Sequence, residues 1–262
     1  MGLDAGGDLV TLGEPATRVA VVTGGSSGVG RAAAQHLARA GHAVAVLDLD
    51  GDGASATAAD LVAGGARAVG CRVDVGDRAD VDAAYEEVRT ALGPIDILVT
   101  SAAVSGFVRF QDITADEWDR TLRVNLTGTF HCAQAAIGDM VAGRWGRIVT
   151  ISSAAGQTAS PRQAHYSASK GGVIAMTKTL AAEFGRKGIT ANTVPPFTVD
   201  TPMLRGAQDA GYLPATDVLA GMVPAGRLGT VDDIGAVCAF LCTEEAGYIT
   251  GQVIAPNGGA VI

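Results

Sequence analysis

The chain has 262 residues, 48% apolar and 5% aromatic, enough for one large α/β domain with a core of small branched side chains and a tight fit for two. Nineteen Lys and Arg against 27 Asp and Glu leave a formal charge of −8 with no basic cluster, which argues against nucleic acid or an anionic membrane and for a small diffusible substrate. No apolar stretch reaches the roughly 20 residues of a membrane span, and the Gly-rich start lacks the basic flank and apolar core of a signal peptide. The expectation is a cytoplasmic protein with a loose arm over 1–17 and a single domain over 18–262.

In chain order, apolar runs at Arg18 to Thr23, Ala43 to Asp48, Ala68 to Val73, Ile95 to Thr100, Arg147 to Ser152, Thr190 to Val194 and Gln252 to Ala255 alternate with amphipathic stretches. This predicts about seven strands in an α/β fold, a doubly wound Rossmann-type parallel sheet with helices on both faces. Ligands of such sheets bind beyond the carboxyl ends of the strands. The stretch over 203–229, rich in Gly, Ala and Pro, reads as a substrate flap. Cys71, Cys132, Cys238 and Cys242 lack metal-ligand spacing and read as small buried residues.

The first strand runs into Gly24-Gly25-Ser26-Ser27-Gly28-Val29-Gly30 and then a helix. Backbone donors from Gly24, Ser26, Ser27, Gly28, Val29 and Gly30 can hold a pyrophosphate there, although such glycines also make a plain tight turn. Asp48 ends the second strand 18 residues beyond Gly30. A carboxylate at that point accepts hydrogen bonds from the hydroxyls of an adenosine ribose and repels a 2′-phosphate. With no guanidinium in the glycine loop or directly after the acid, the expected cofactor is NAD rather than NADP. The competing reading makes Asp48 the start of a turn. Asp74, followed by Val75, either caps the helix from Asp77 or touches the adenine.

Tyr166 and Lys170 stand four apart in His165-Tyr166-Ser167-Ala168-Ser169-Lys170 and share a helix face, with Ser153 thirteen residues earlier. At about 4 Å and an effective dielectric near 20, an ammonium attracts a phenolate by roughly 4 kcal/mol, against about 1.4 kcal/mol per pKa unit. That is enough to bring a tyrosine into range for acid–base work near neutral pH. An isolated, exposed pair of this kind is worth only a few tenths of a kcal/mol.

Together and in this order, these residues resemble the short-chain dehydrogenase/reductase family from Val19 to Gly259. The resemblance places the glycine loop at Thr23 through Gly30 and a catalytic set at Asn125, Ser153, Tyr166 and Lys170. It implies that Ser153 hydrogen-bonds the substrate oxygen and that Tyr166 takes its proton while a hydride passes to nicotinamide. It further implies that Lys170 binds the nicotinamide ribose and holds Tyr166 ionised, and that Asn125 anchors a water linking Lys170 to solvent. Ser101, Ala102, Pro196, the Val199 backbone and the Thr201 hydroxyl then belong to the cofactor site. The helices at about 115–141 and 166–186, with the last strand, would make the contacts of a homotetramer.

The chain departs from the family pattern in three places. Thr100-Ser101-Ala102-Ala103 replaces Asn-Asn-Ala-Gly, so Thr100 is expected to tie the central sheet with a shorter hydroxyl. Phe197 replaces a glycine after Pro196, where it narrows the pocket, packs under the flap or fills core. Asn257 stands where aspartate is commoner.

The expected activity is hydride transfer between NAD and a secondary alcohol or ketone. The alternatives are an NADPH-linked 3-oxoacyl-thioester reductase and, in another class, a non-catalytic dinucleotide-binding regulator. A pocket lined by Val104, Ser105, Ala155, Gln157, Gln163, Phe197 and the flap from Leu204 to Val223 is mainly apolar, which suggests a hydrophobic or cyclic alcohol.

Overall fold

Every residue of strand β1 (Val19–Thr23) is buried, as a strand covered by helices on both faces requires. The computed structural model describes residues 17–262, so the expected N-terminal arm lies, but for Thr17, outside the described residues. β1, β2 (Ala43–Asp48), β3 (Ala68–Arg72), β4 (Ile97–Thr100), β5 (Gly146–Ile151) and β6 (Ile189–Val194) form one parallel sheet in the order β3-β2-β1-β4-β5-β6. The winding reverses between β1 and β4, and that switch point opens a crevice at the carboxyl ends.

The helices are α1 (Gly28–Arg39), α2 (Gly51–Ala63), α3 (Arg78–Ala91), α4 (Ala115–Leu122), α5 (Gly128–Gly143), α6 (Ala164–Phe184), α7 (Pro202–Asp209), α8 (Thr216–Gly221) and α9 (Val231–Leu241). The two-residue period of β1 divides the core. Val19 and Val21 pack with Tyr85, Cys132 and Met140 of α3 and α5, and Ala20 and Val22 pack with Leu37, Leu61 and Ile234 of α1, α2 and α9. All four cysteines are buried, and burial pushes the Cys71 thiol up to about 11 and those of Cys132 and Cys238 up to about 12, so none is a ready nucleophile.

Three elements differ from the sequence reading. The sheet has six strands rather than about seven, because the run at 252–255 meets β6 only through a single bridge between Thr193 and Val253. The Asn192 side chain takes over the neighbouring ladder positions, donating to Ile249 O at 2.7 Å and accepting from Gln252 N at 3.0 Å. The helix expected over 115–141 is interrupted by a π-helical turn, Arg123–Thr127, between α4 and α5. The segment over 203–229 is built on the short helices α7 and α8, which close on their own apolar cluster of Leu204, Leu219 and Leu228.

Candidate active site

The carboxyl ends of the strands open on a cleft of about 740 Å³, lined among others by the glycine loop, by residues of α7 and α8, and by Phe197. Gly28 takes φ +55, a conformation that favours glycine, and a Cβ built on it would make ordinary contact with Thr201 Cγ2 at 3.8 Å. Ser27 begins α1 with no side-chain cap, and no acid occupies the first turn, so the free N–H groups of that turn face the cleft. Gly24, Ser26, Ser27, Gly28 and Val29 all line it. Gly30 does not: a Cβ there would lie 2.1 Å from Gly24 O, so its part is to let the helix pack against the loop.

Asp48 lines the cleft with its carboxylate fixed by two backbone donors, Ser26 N at 3.0 Å and Asp50 N at 3.1 Å. It thus makes the turn contact and faces the cleft at once. Two nearby cations escaped the sequence reading: Arg31 is paired with Asp60, and Arg72 stands in register with Asp48 on β3 but outside the cleft lining. Asp74 and Val75 line the cleft. Asp74 does not cap α3, for which Asp77 accepts from Ala79 N and Asp80 N. It holds Arg123 at 3.0 Å and Gly76 N at 2.8 Å; burial opposes ionisation, but these bonds keep its carboxyl below the usual range.

Ser153, Tyr166 and Lys170 converge on the middle of the cleft. Ser153 follows β5 and caps a single 3-10 turn, accepting from Ala155 N at 3.2 Å, while its hydroxyl hydrogen-bonds Tyr166. Lys170 is 2% exposed, and its Nζ donates to Ile151 O at 2.8 Å and lies 5.7 Å from the Tyr166 ring centroid. Burial lowers the Lys170 ammonium to about 8 and pushes the Tyr166 phenol up, the latter opposed by its hydrogen bond with Ser153. This reverses the direction expected for Tyr166 from the sequence. Desolvation outweighs attraction because the ammonium is directed at a carbonyl of β5 rather than at the phenol.

Asn125 is fully buried in the π-helical turn, behind the cleft rather than in its wall. Its Oδ1 accepts from Val104 N at 2.8 Å, and its Nδ2 donates to Val104 O at 2.9 Å and Ser169 Oγ at 3.1 Å. Ser169, which the sequence reading passed over, donates in turn to Tyr166 O at 2.7 Å.

The Thr100 hydroxyl does not tie the sheet as expected, being buried without a partner. Thr23 supplies the tie instead, its Oγ1 accepting from Ser101 N at 3.2 Å and Ala102 N at 3.3 Å. Pro196 O accepts from Ala154 N at 3.0 Å. Val199 is flanked by bonds between Thr198, Asp200 and Gly229, so its own N–H and C=O remain free at the cleft. Thr201 caps α7 by accepting from Leu204 N at 3.2 Å, leaving its hydroxyl proton available.

On the remaining wall, Val104, Ser105, Ala155, Gln163 and Phe197 line the cleft, and Gln157 does not. Gln157 ends the 3-10 turn and is exposed, turned away from the interior. Phe197 is 40% exposed, so it is wall rather than core filler. Met203, Leu213 and Met222 of the expected flap also line the cleft, and so does Phe107, which the sequence reading did not name; Phe107 stacks on Tyr212 with centroids 5.4 Å apart.

The family described as enoyl-(acyl carrier protein) reductase matches residues 24–261. The chain is similar to the (2S)-[(R)-hydroxy(phenyl)methyl]succinyl-CoA dehydrogenase subunit BbsD of Thauera aromatica, 40% identical over 92% of this chain and 96% of that protein. It is also similar to 2-dehydro-3-deoxy-L-rhamnonate dehydrogenase (NAD(+)) of a Sphingomonas species, at 38% over 95% and 98%. Among solved structures, a gluconate 5-dehydrogenase from Burkholderia cenocepacia in complex with NADP and tartrate superposes with a TM-score of 0.86 at 34% identity, covering 93% of this chain and 94% of that one.

Proposed function

Because this chain belongs to the short-chain dehydrogenase/reductase family, whose members bind a nicotinamide dinucleotide and act on alcohols or ketones, we propose that it is an NAD-dependent secondary-alcohol dehydrogenase working through Ser153, Tyr166 and Lys170. The observation that carries this reading is the convergence of those three side chains in one cleft with the open glycine loop and the anchored carboxylate of Asp48. When bound, the dinucleotide supplies the hydride acceptor or donor. Ser153, now bonded to Tyr166, would donate its proton to the substrate oxygen, and Tyr166 would exchange a proton with that same oxygen.

Lys170, with its pKa brought to about 8, is the neighbouring group able to gain or lose a proton near neutrality. Asn125 acts as a positioning residue in this reading, since both of its amide protons are engaged and Ser169 links it to the Tyr166 backbone. Gly28, Val29 and the Val199 backbone would hold the dinucleotide, with the adenosine ribose against Asp48, and the preference for NAD rests on that carboxylate. The apolar flap side favours a hydrophobic alcohol, and a cytoplasmic homotetramer is the matching expectation for the protein as a whole.

A second reading, a dehydrogenase of 3-hydroxyacyl thioesters, is favoured by the thioester named for the Thauera relative. Both are tested by following nicotinamide absorbance with NAD and NADP in parallel, over aliphatic and cyclic secondary alcohols and 3-hydroxyacyl thioesters. Turnover with NAD that falls by about 10² or more in Tyr166→Phe is the expected result. A preference for NADP would overturn the part assigned to Asp48, and dinucleotide binding without turnover of any alcohol would favour a regulator.

A further inference from the structure

Three polar side chains on the substrate side form a relay that the catalytic set does not use. Ser160 Oγ donates to Gln163 Oε1 at 2.7 Å, and Gln163 Nε2 donates to Ser105 Oγ at 3.0 Å. All three line the cleft. Gln163 is 7% exposed and occupies the N-cap of α6, yet its side chain makes no cap bond there; the amide instead joins the loop after β4 to the loop after β5. Gln163 precedes Tyr166 by three positions at the start of α6, and both line the cleft.

The direction of the bonds sorts the hydroxyls. Ser160 has its proton on Gln163, and Thr158, also in the wall, has its proton on Ala154 O at 3.1 Å. Ser105 only accepts, so its O–H is left to donate, and the residue is exposed to the cleft. The flap contributes Leu204, Leu213, Leu219 and Met222 to the lining, which offer no side-chain partner for that proton.

We propose that Ser105, oriented by Gln163, is a specificity-determining donor, and that the substrate is a secondary alcohol carrying a second acceptor oxygen close to the carbinol carbon, such as a hydroxy ester or hydroxy ketone. This rests on the dehydrogenase reading above and narrows its substrate class. The carbinol oxygen sits with Ser153 and Tyr166, and the second oxygen accepts from Ser105. An alkanol of the same shape leaves the Ser105 hydroxyl desolvated and unpaired, which is what makes a hydrogen-bonding site selective.

The test compares ethyl 3-hydroxyhexanoate with 4-nonanol, matched in chain length, through the ratio of their kcat/KM values. The wild-type ratio should favour the ester by about tenfold or more, one hydrogen bond's worth of discrimination. Ser105→Ala should lower the ratio about tenfold, Gln163→Leu should lower it as well, and Ser105→Thr, which keeps the hydroxyl, should retain it. A purely structural part for Ser105 would change both substrates together and leave the ratio alone. A ratio near one in the wild type, or one unchanged by Ser105→Ala, overturns the relay while leaving the dehydrogenase reading intact. Silence with both probes, in wild type and Tyr166→Phe alike, overturns the dehydrogenase reading and this inference with it.

Discussion

Replacing Lys170 by Met should stabilise the fold at neutral pH while removing activity. Lys170 keeps an ammonium in a site that is 2% exposed, with Ile151 O as its hydrogen-bond acceptor. A group whose pKa is about 8 when folded and 10.5 when unfolded binds its proton less tightly in the native state. Below pH 8 this costs the folded state about 3 kcal/mol; between pH 8 and 10.5 the unfolded chain holds more protons, so the cost shrinks as pH rises, to about 1 kcal/mol at pH 10. Methionine fills nearly the same volume without the charge but leaves Ile151 O unpaired, at about 1–2 kcal/mol. The net expectation is a variant more stable by about 1–2 kcal/mol at pH 7, with the advantage gone by pH 10. Urea denaturation of both proteins at pH 7, 8, 9 and 10 and equal concentration measures the difference directly, and taking the difference cancels the buried thiols, whose ionisation weakens both proteins above pH 9. A variant less stable at pH 7, by an amount that does not vary with pH, would refute the assignment of a strained ammonium to this site.

Two further pairs of substitutions separate local forces around the cleft. Thr100→Val removes a buried hydroxyl that has no partner and should raise stability by up to about 1 kcal/mol, whereas Thr23→Val strips the Ala102 N–H of its acceptor and should cost about 1–3 kcal/mol; thermal melts of the two set side by side decide it. Gly30→Ala forces a methyl to within 2.1 Å of Gly24 O and should cost about 3 kcal/mol in a denaturant titration. Gly28→Ala meets no such clash, and its main expected effect, beyond about 1 kcal/mol of left-handed strain, is weakened dinucleotide binding measured by fluorescence titration.

What the sequence made legible was whatever depends on neighbours along the chain. The apolar runs mark β1 to β6 because a strand buried on both faces has no polar alternation to blur it, and Tyr166 and Lys170 share a face because helical spacing requires it. The misses all turn on a partner from elsewhere in the chain. Whether the run at 252–255 pairs along its length depends on the Asn192 side chain, which occupies the ladder positions the run would need. Lys170 is aimed at the Ile151 carbonyl, a feature of β5 that no spacing within α6 encodes. Gly28 and Gly30 look alike in the motif, and only the approach of α1 to the loop makes Gly30 a tight packing contact while Gly28 has ordinary room. Asp77 caps α3 because it directly precedes Arg78, while Asp74 is held by Arg123, 49 residues further on.

The loop that follows β4 explains why the departures at Thr100 to Ala103 leave the site assembled. Its first half is held to β1 by Thr23, which bonds the backbone of Ser101 and Ala102 and is indifferent to the side chains there. Its second half is held to α6 twice. Val104 pairs through its backbone with Asn125, which reaches the Tyr166 carbonyl through Ser169, and Ser105 receives the Gln163 amide one turn ahead of Tyr166. Tyr166 is thus supported on both sides by a single loop, through bonds that mostly end on main-chain atoms. Substitutions in the loop that keep its backbone path should therefore be milder than those at Thr23, Asn125 and Ser169, whose side chains hold it. The exception is Ser105, the one position in the loop whose contribution is a side-chain hydroxyl, and it is there that a change of residue should alter substrate choice rather than the fold.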